Sequence, residues 1–184
     1  LFIFLVIPAA LIGGWSLRNS LLYKTPLFTT TAGAYALWVG NNPAATGGYE
    51  RPAELLDARR RYHSVELSKI SIQKTSEFIK THPLRFMELQ VRKTAMYFSL
   101  IRPTGFWFHL NTRPYHKFII LILSALATAF LFIFGFAGLS YYIKNNLPHA
   151  TLLAVLSVTQ PFLVIPTYVE TRYRFPLFLF LALF

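Results

Sequence analysis

The sequence has no cysteine among its 184 residues, which excludes disulfides, thiolate metal ligands and a cysteine nucleophile. Acidic residues are scarce: seven Asp and Glu against 18 Lys and Arg leave a net charge of +11. Charged residues make up only 14% of the chain, while 54% is apolar and 17% aromatic. That mixture excludes a disordered segment and an ordinary soluble domain. No glycine-rich phosphate loop and no G-x-S-x-G elbow occurs. The five histidines, His63, His82, His109, His116 and His149, lack the spacing of a metal cluster, so the sequence calls for no metal and no cofactor.

What is present are long apolar runs. A bilayer core about 30 Å thick takes roughly 20 apolar residues in a helix. The uncharged runs Phe118–Ile143, with 26 residues, and Leu147–Val169, with 23, exceed that length. The expected spans are therefore 117–143 and 147–169. Further apolar runs at 1–15 and 175–184 read as truncated transmembrane helices of a longer polypeptide. The expected fold class is all-α integral membrane: a fragment of a polytopic helical bundle with two full and two truncated transmembrane helices, and a long, partly helical loop over 16–116. Because consecutive spans reverse direction, that loop and the short segment 170–174 fall on one face, and Lys144–Asn146 on the other.

The long loop carries 14 basic and 6 acidic residues. A net +8 attracts anionic lipid headgroups or phosphate-bearing substrates. Nucleic acid is disfavoured, because the loop is tethered to membrane helices at both ends and holds no reading motif. Tyr35–Val39 leans towards a strand, and Asn41-Asn42-Pro43 and Thr46-Gly47-Gly48 are turn formers. Glu54–Lys80 has neither Gly nor Pro and reads as one helix. Thr81-His82-Pro83 breaks it, and Pro83 opens a second helix that Arg102-Pro103-Thr104-Gly105 ends. This second helix places Phe86, Leu89, Tyr97 and Leu100 near one face, a pattern suited to lying on a membrane surface.

Pro161 and Pro166, with Gln160, interrupt the second half of the span 147–169. Proline at membrane depth reads either as a cavity or as a kink packed against neighbours. Beyond it, Arg172 and Arg174 flank Tyr173 at the expected membrane edge, and Arg18-Asn19 leaves the first helix at the same depth and face. Each set reads either as a phosphate-binding pair of guanidiniums or as a headgroup-level anchor. Together they make one candidate anionic site: Arg18, Asn19, Arg172, Tyr173 and Arg174. Arg59-Arg60-Arg61 reads as a solvated helix face. Glu50, Glu54, Asp57 and Glu170 read as ordinary surface acids.

The helix ending in Trp15-Ser16-Leu17-Arg18-Asn19 is followed by Thr29-Thr30-Thr31-Ala32-Gly33, then Leu37-Trp38-Val39-Gly40-Asn41-Asn42-Pro43 and Thr46-Gly47. A helix closing on His82-Pro83 and the run Arg172-Tyr173-Arg174-Phe175-Pro176 complete a series that covers nearly the whole chain. Its order and spacing resemble the later, C-terminal part of bacterial C-type membrane glycosyltransferases of the protein O-mannosyltransferase-like and aminoarabinose-transferase-like kind. The resemblance implies transfer of a sugar from a polyprenyl-phosphate donor to a lipid, glycan or protein acceptor, in the bacterial inner (plasma) membrane, with the long loop extracytoplasmic. It places the catalytic carboxylate in an earlier loop of the full enzyme, so no catalytic residue is expected in this chain. Arg172 and Arg174, with Arg18, are then expected to meet the lipid phosphate. A transporter or polymer-export component, with the broken helix lining its path, is the alternative from another class, and a non-catalytic scaffold whose basic loop recruits anionic lipid is a third reading.

Overall fold

The computed structural model describes residues 2–27, 30–101 and 113–184. Among them every regular element is a helix and no strand occurs: α1 (Phe2–Tyr23), α2 (Ala32–Gly40), α3 (Ala53–Arg61), α4 (Ser64–Thr81), α5 (Pro83–Phe98), α6 (Pro114–Lys144), α7 (Ala150–Val164), a 3-10 turn over Thr171–Arg174, and α8 (Phe175–Leu181). Thr29 of the motif series and the helix end expected at Arg102–Gly105 lie outside the described residues, as does His109.

One described helix, α6, is long and apolar enough to cross a membrane; its 31 residues match the span expected at 117–143. The span expected at 147–169 is corrected. Its helix, α7, has 15 residues, about 22 Å of rise against a bilayer core of about 30 Å. Pro161 sits inside α7, and the helix stops before Pro166. Pro166 has no N–H to continue the ladder, and beyond it the chain runs non-helically to Glu170. At the other end, α1 continues past Trp15 through Arg18-Asn19 to Tyr23. The short loop at 170–174 is the 3-10 turn that leads straight into α8.

The β-leaning stretch Tyr35–Val39 is helical, inside α2. A short apolar run has no period that separates helix from buried strand, and the deciding groups come after it. Asn41 donates from Nδ2 to the Leu37 carbonyl at 2.7 Å, and Asn42 donates to the carbonyls of Trp38 and Val39, each at 2.9 Å. Two asparagines thus satisfy carbonyls that a helix C-terminus leaves open. The single helix expected over Glu54–Lys80 is two, parted by extended backbone at Tyr62 and His63.

α5 meets the protein with Leu89, Lys93 and Tyr97, all fully buried, and leaves Leu84, Met87 and Val91 exposed. The face expected to lie on a membrane, with Leu89 and Tyr97, is therefore its protein-facing side. Leu84, Met87 and Val91, at i, i+3 and i+7, make a second apolar stripe across the helix.

Three buried clusters follow. Tyr35, Trp38, Val39, Leu55, Ala58, Leu67 and Tyr168 form the first, while Tyr97, Val169, Leu177 and Leu181 form the second. Ala45, Phe78 and Leu89 form the third. Tyr168 and Val169 are neighbours in sequence yet enter different clusters, as successive residues of an extended segment do. The segment after α7 therefore joins the loop helices to the apolar helices. Among the apolar helices, α8 and the residues after it lie against α6 at two glycines: a Cβ on Gly135 would fall 2.7 Å from the Leu181 Cβ, and one on Gly138 2.5 Å from the Phe184 Cβ. Small residues at such crossings let helix backbones approach closely.

Candidate functional site: a tyrosine cleft with an arginine rim

The N-terminal part of α2, the α3 and α4 helices and the segment after α7 enclose a cleft of about 480 Å³. Tyr35, Tyr49, Tyr168 and Tyr173 supply its aromatic walls, and Thr31, Ser64 and Arg59 its polar lining. Tyr49 and Tyr168 pack with ring centroids 4.7 Å apart, and the hydroxyls of Tyr168 and Tyr173 share a hydrogen bond of 3.0 Å. Two hydroxyls joined by one bond leave one proton for a ligand oxygen. Tyr35 donates to the Leu55 carbonyl at 3.3 Å. Burial pushes its phenol up, against the pull of the Arg51 and Arg59 guanidiniums.

Three of these tyrosines carry an arginine. The guanidinium of Arg51 lies 4.8 Å from the Tyr49 ring, that of Arg59 6.0 Å from Tyr35, and that of Arg172 5.4 Å from Tyr173. A guanidinium stacked on a ring is held by its face and keeps its N–H edges for an oxyanion. Arg172 is also paired with Glu170 at 2.6 Å, and this carboxylate is the main cause that raises the Arg172 pKa. With the arginine side chain 66% exposed, a pair of this kind adds about 0–1 kcal/mol to stability. Among the described residues no Asp, Glu or His lines the cleft. It has groups to stack on a ring, to donate hydrogen bonds and to neutralise an anion, and none to act as general base.

The five residues singled out in the sequence are distributed differently. Tyr173 lines the cleft, and Arg172 stacks over it at the rim. Arg174 is completely buried: it donates to the Ser99 carbonyl and lies 5.7 Å from the Phe132 ring and 5.5 Å from that of Phe178. Phe132 is near the middle of α6, so the guanidinium sits beside the long apolar helix and is enclosed by protein. Arg18 stacks on Trp15 at 5.7 Å, donates to Asn19 Oδ1 at 3.1 Å and borders a separate groove along α1. Arg18 and Tyr173 thus line different concavities. Among the described residues no group of His, Asp and Glu is arranged to hold a metal ion.

The chain matches no family model, no curated protein and no solved structure.

A recess of about 180 Å³ between Trp38, Phe78 and His82 is lined by Glu54 and Glu77 as well as Lys74. Two carboxylates disfavour a phosphate there, which leaves the tyrosine cleft as the better anion site.

Behind the cleft wall lies a polar node that the sequence does not announce. Lys93 is fully buried, and its Nζ donates to Asn41 Oδ1 at 2.8 Å and to the Pro166 carbonyl at 3.3 Å. Asn41 also donates to the Pro166 carbonyl at 2.8 Å, and its Oδ1 accepts from Gln90 at 2.9 Å. Val169 N–H donates to the Gly47 carbonyl at 2.9 Å. Gly47 itself needs its glycine, with φ at +105° and Met96 Sδ 3.0 Å from where a Cβ would stand. These bonds hold Pro166–Val169, which carries Tyr168, against the loop that follows α2. Burial alone lowers the Lys93 pKa to about 7.

Proposed function

We propose that this chain is part of a membrane glycosyltransferase that takes a sugar from a polyprenyl-phosphate donor and passes it to a lipid, glycan or protein acceptor, and that the tyrosine cleft receives the sugar-phosphate end of the donor. The observation that carries this reading is the pairing of tyrosine rings with Arg51, Arg59 and Arg172 around one concavity. Aromatic rings offer a sugar a flat apolar face, and guanidiniums stabilise the charge that grows on a departing lipid phosphate. The lack of a general base in the cleft fits a division of labour in which the acceptor is activated by a carboxylate elsewhere in the enzyme. The order of short motifs from Trp15 to Pro176 supports the same family reading.

In this proposal the chain belongs to a polytopic helical bundle of the bacterial inner membrane, with α2–α5 on the extracytoplasmic side and Lys144–Asn146 in the cytoplasm. Arg18 and Asn19 serve at headgroup level on α1. Arg174 supports the site from behind. The transporter reading needs an open path along the broken helix. The residues that follow the break are instead packed into protein, with Val169 fully buried.

The test is sugar transfer in membranes that contain the full protein, with a radiolabelled polyprenyl-phosphate sugar as donor. Tyr49→Ala and Arg172→Ala should each raise the donor KM about tenfold, the equivalent of about 1.4 kcal/mol. Unchanged donor kinetics in both variants would remove the cleft from the reaction.

A further inference from the structure

Lys93 is enclosed by neutral groups. Asn41 and Gly47 meet it from the loop after α2, Pro166 from the segment after α7, and Gln90 completes the node from its own helix. The titratable groups on those elements are turned elsewhere or exposed: on the loop after α2, Arg51 stacks on Tyr49 and Glu50 is exposed. Glu170 pairs with Arg172, Tyr168 bonds Tyr173, Arg85 pairs with Glu88, and Tyr97 donates to the Tyr173 carbonyl. Arg92 is exposed, and it is the aliphatic Cγ of its side chain that comes to 3.9 Å of a Cβ placed on Gly47. Among the described residues no carboxylate pairs with Nζ. Two carbonyl oxygens accept from it, which matches the two N–H bonds of a neutral amine and leaves the third N–H of an ammonium without an acceptor among the described residues.

We propose that Lys93 is an internal latch: as the neutral amine it ties Pro166 to Asn41 and holds the Tyr168 wall of the cleft in place, and as the ammonium it favours release of the segment 166–169. The latch is independent of which donor, if any, occupies the cleft. Its chemistry is the cost of keeping an unpaired charge inside protein.

The direction of the pH effect follows from the two states. Held, Lys93 loses its proton at about 7; released into water it recovers the ordinary lysine value, roughly 10.4. Between these values the released form binds more protons, so raising the pH stabilises the held form by up to about tenfold per unit. Below about 7 both forms are protonated, and the release equilibrium no longer changes.

The experiment uses the full protein in its membrane, with any cysteine outside this chain replaced, and a single thiol at Val169→Cys. Val169 is fully buried and Ala44 is exposed, so Ala44→Cys in a parallel sample corrects for the pH dependence of the thiol itself. The corrected maleimide labelling rate at position 169 should fall steeply, by as much as about tenfold per unit, as pH rises from 7 to 9. In Lys93→Met it should be flat. Lys93→Gln, which keeps two N–H donors and no titratable proton, takes the place of Lys93→Met if that variant does not insert, with the same flat result expected. A flat profile with Lys93 in place overturns the latch, and so does an equal slope with and without it. Because labelling needs no donor, failure of the glycosyltransferase reading leaves this result standing, and failure of the latch leaves the donor assay standing.

Discussion

Gly40 lies against the backbone carbonyl of Thr167, closely enough that a Cβ on Gly40 would overlap that carbonyl. The contact joins the end of α2 to the segment after α7 across more than a hundred residues of chain. It places the Asn41 node, the Lys93 amine and the Tyr168 wall in one assembly.

Gly40→Ala should therefore loosen the whole site. Overpacking against backbone costs about 1–3 kcal/mol or more, and here the neighbour is a carbonyl with no rotamer to change. Gly13, which has nothing within 4 Å, is the control: Gly13→Ala should be neutral or stabilise α1 by roughly 0.5–1 kcal/mol. Denaturant unfolding of the two purified variants checks both.

The two faces of α5 separate by substitution. Leu89 has no exposed surface and Leu84 is 85% exposed. Leu89→Ala should cost about 2–5 kcal/mol, and Leu84→Ala within about 0.5 kcal/mol, when unfolding is followed in detergent. If Leu84→Ala proves the costlier of the pair, the buried face of α5 has been assigned the wrong way round.

Arg172 and Arg174 should part company despite their spacing. Arg172→Ala removes an ion pair whose arginine is largely exposed and should change stability by about 0–1 kcal/mol, while weakening donor use. Arg174→Ala empties a buried site between Phe132 and Phe178 and should lower the melting temperature before any kinetic effect is read. Thermal unfolding together with the donor KM of each variant makes the comparison.

Topology is open to direct labelling. Single cysteines at Ser64 and Asn145 sit on opposite sides of α6 in the proposed arrangement. An impermeant maleimide added to intact cells should modify Ser64→Cys and reach Asn145→Cys only after permeabilisation. The reverse pattern puts the loop in the cytoplasm.

Much of the helical plan is readable in the sequence, and the reasons for the failures are local. Pro83 and the polar turn at Lys144–Asn146 mark boundaries that the structure keeps, because proline and turn residues act through their own backbone. The end of α7 is readable only in part: Pro166 removes an N–H from the ladder, but the apolar run continues to Val169, and the contacts of the Pro166 carbonyl with Asn41 and Lys93 are known only from the fold. The helix α2 is hidden because its ending is capped by side chains of residues that read as a turn. The break at Tyr62-His63 has no Gly or Pro to announce it.

The site is legible in part. Tyr173 and Arg172 emerge from their position beside Pro176. Arg59 reads as one of three solvated arginines until the fold brings it to Tyr35, and Arg51 and Tyr49 have no motif at all. Gly135 and Gly138 stand out as small residues in an apolar helix; their partner, α8, is known only from packing. Lys93 is the clearest omission, because a lysine on an amphipathic helix reads as its polar side and here points into protein.

The central claim is that a polyprenyl-phosphate sugar seats in the tyrosine cleft. The most direct measurement is photocrosslinking of the membrane-embedded protein with a donor analogue carrying a diazirine beside its phosphate, followed by mapping of the modified peptides. The account predicts adducts within 31–59 and 168–173, suppressed by excess unmodified donor. Competed adducts confined to other parts of the protein, with none in these two segments, would contradict it.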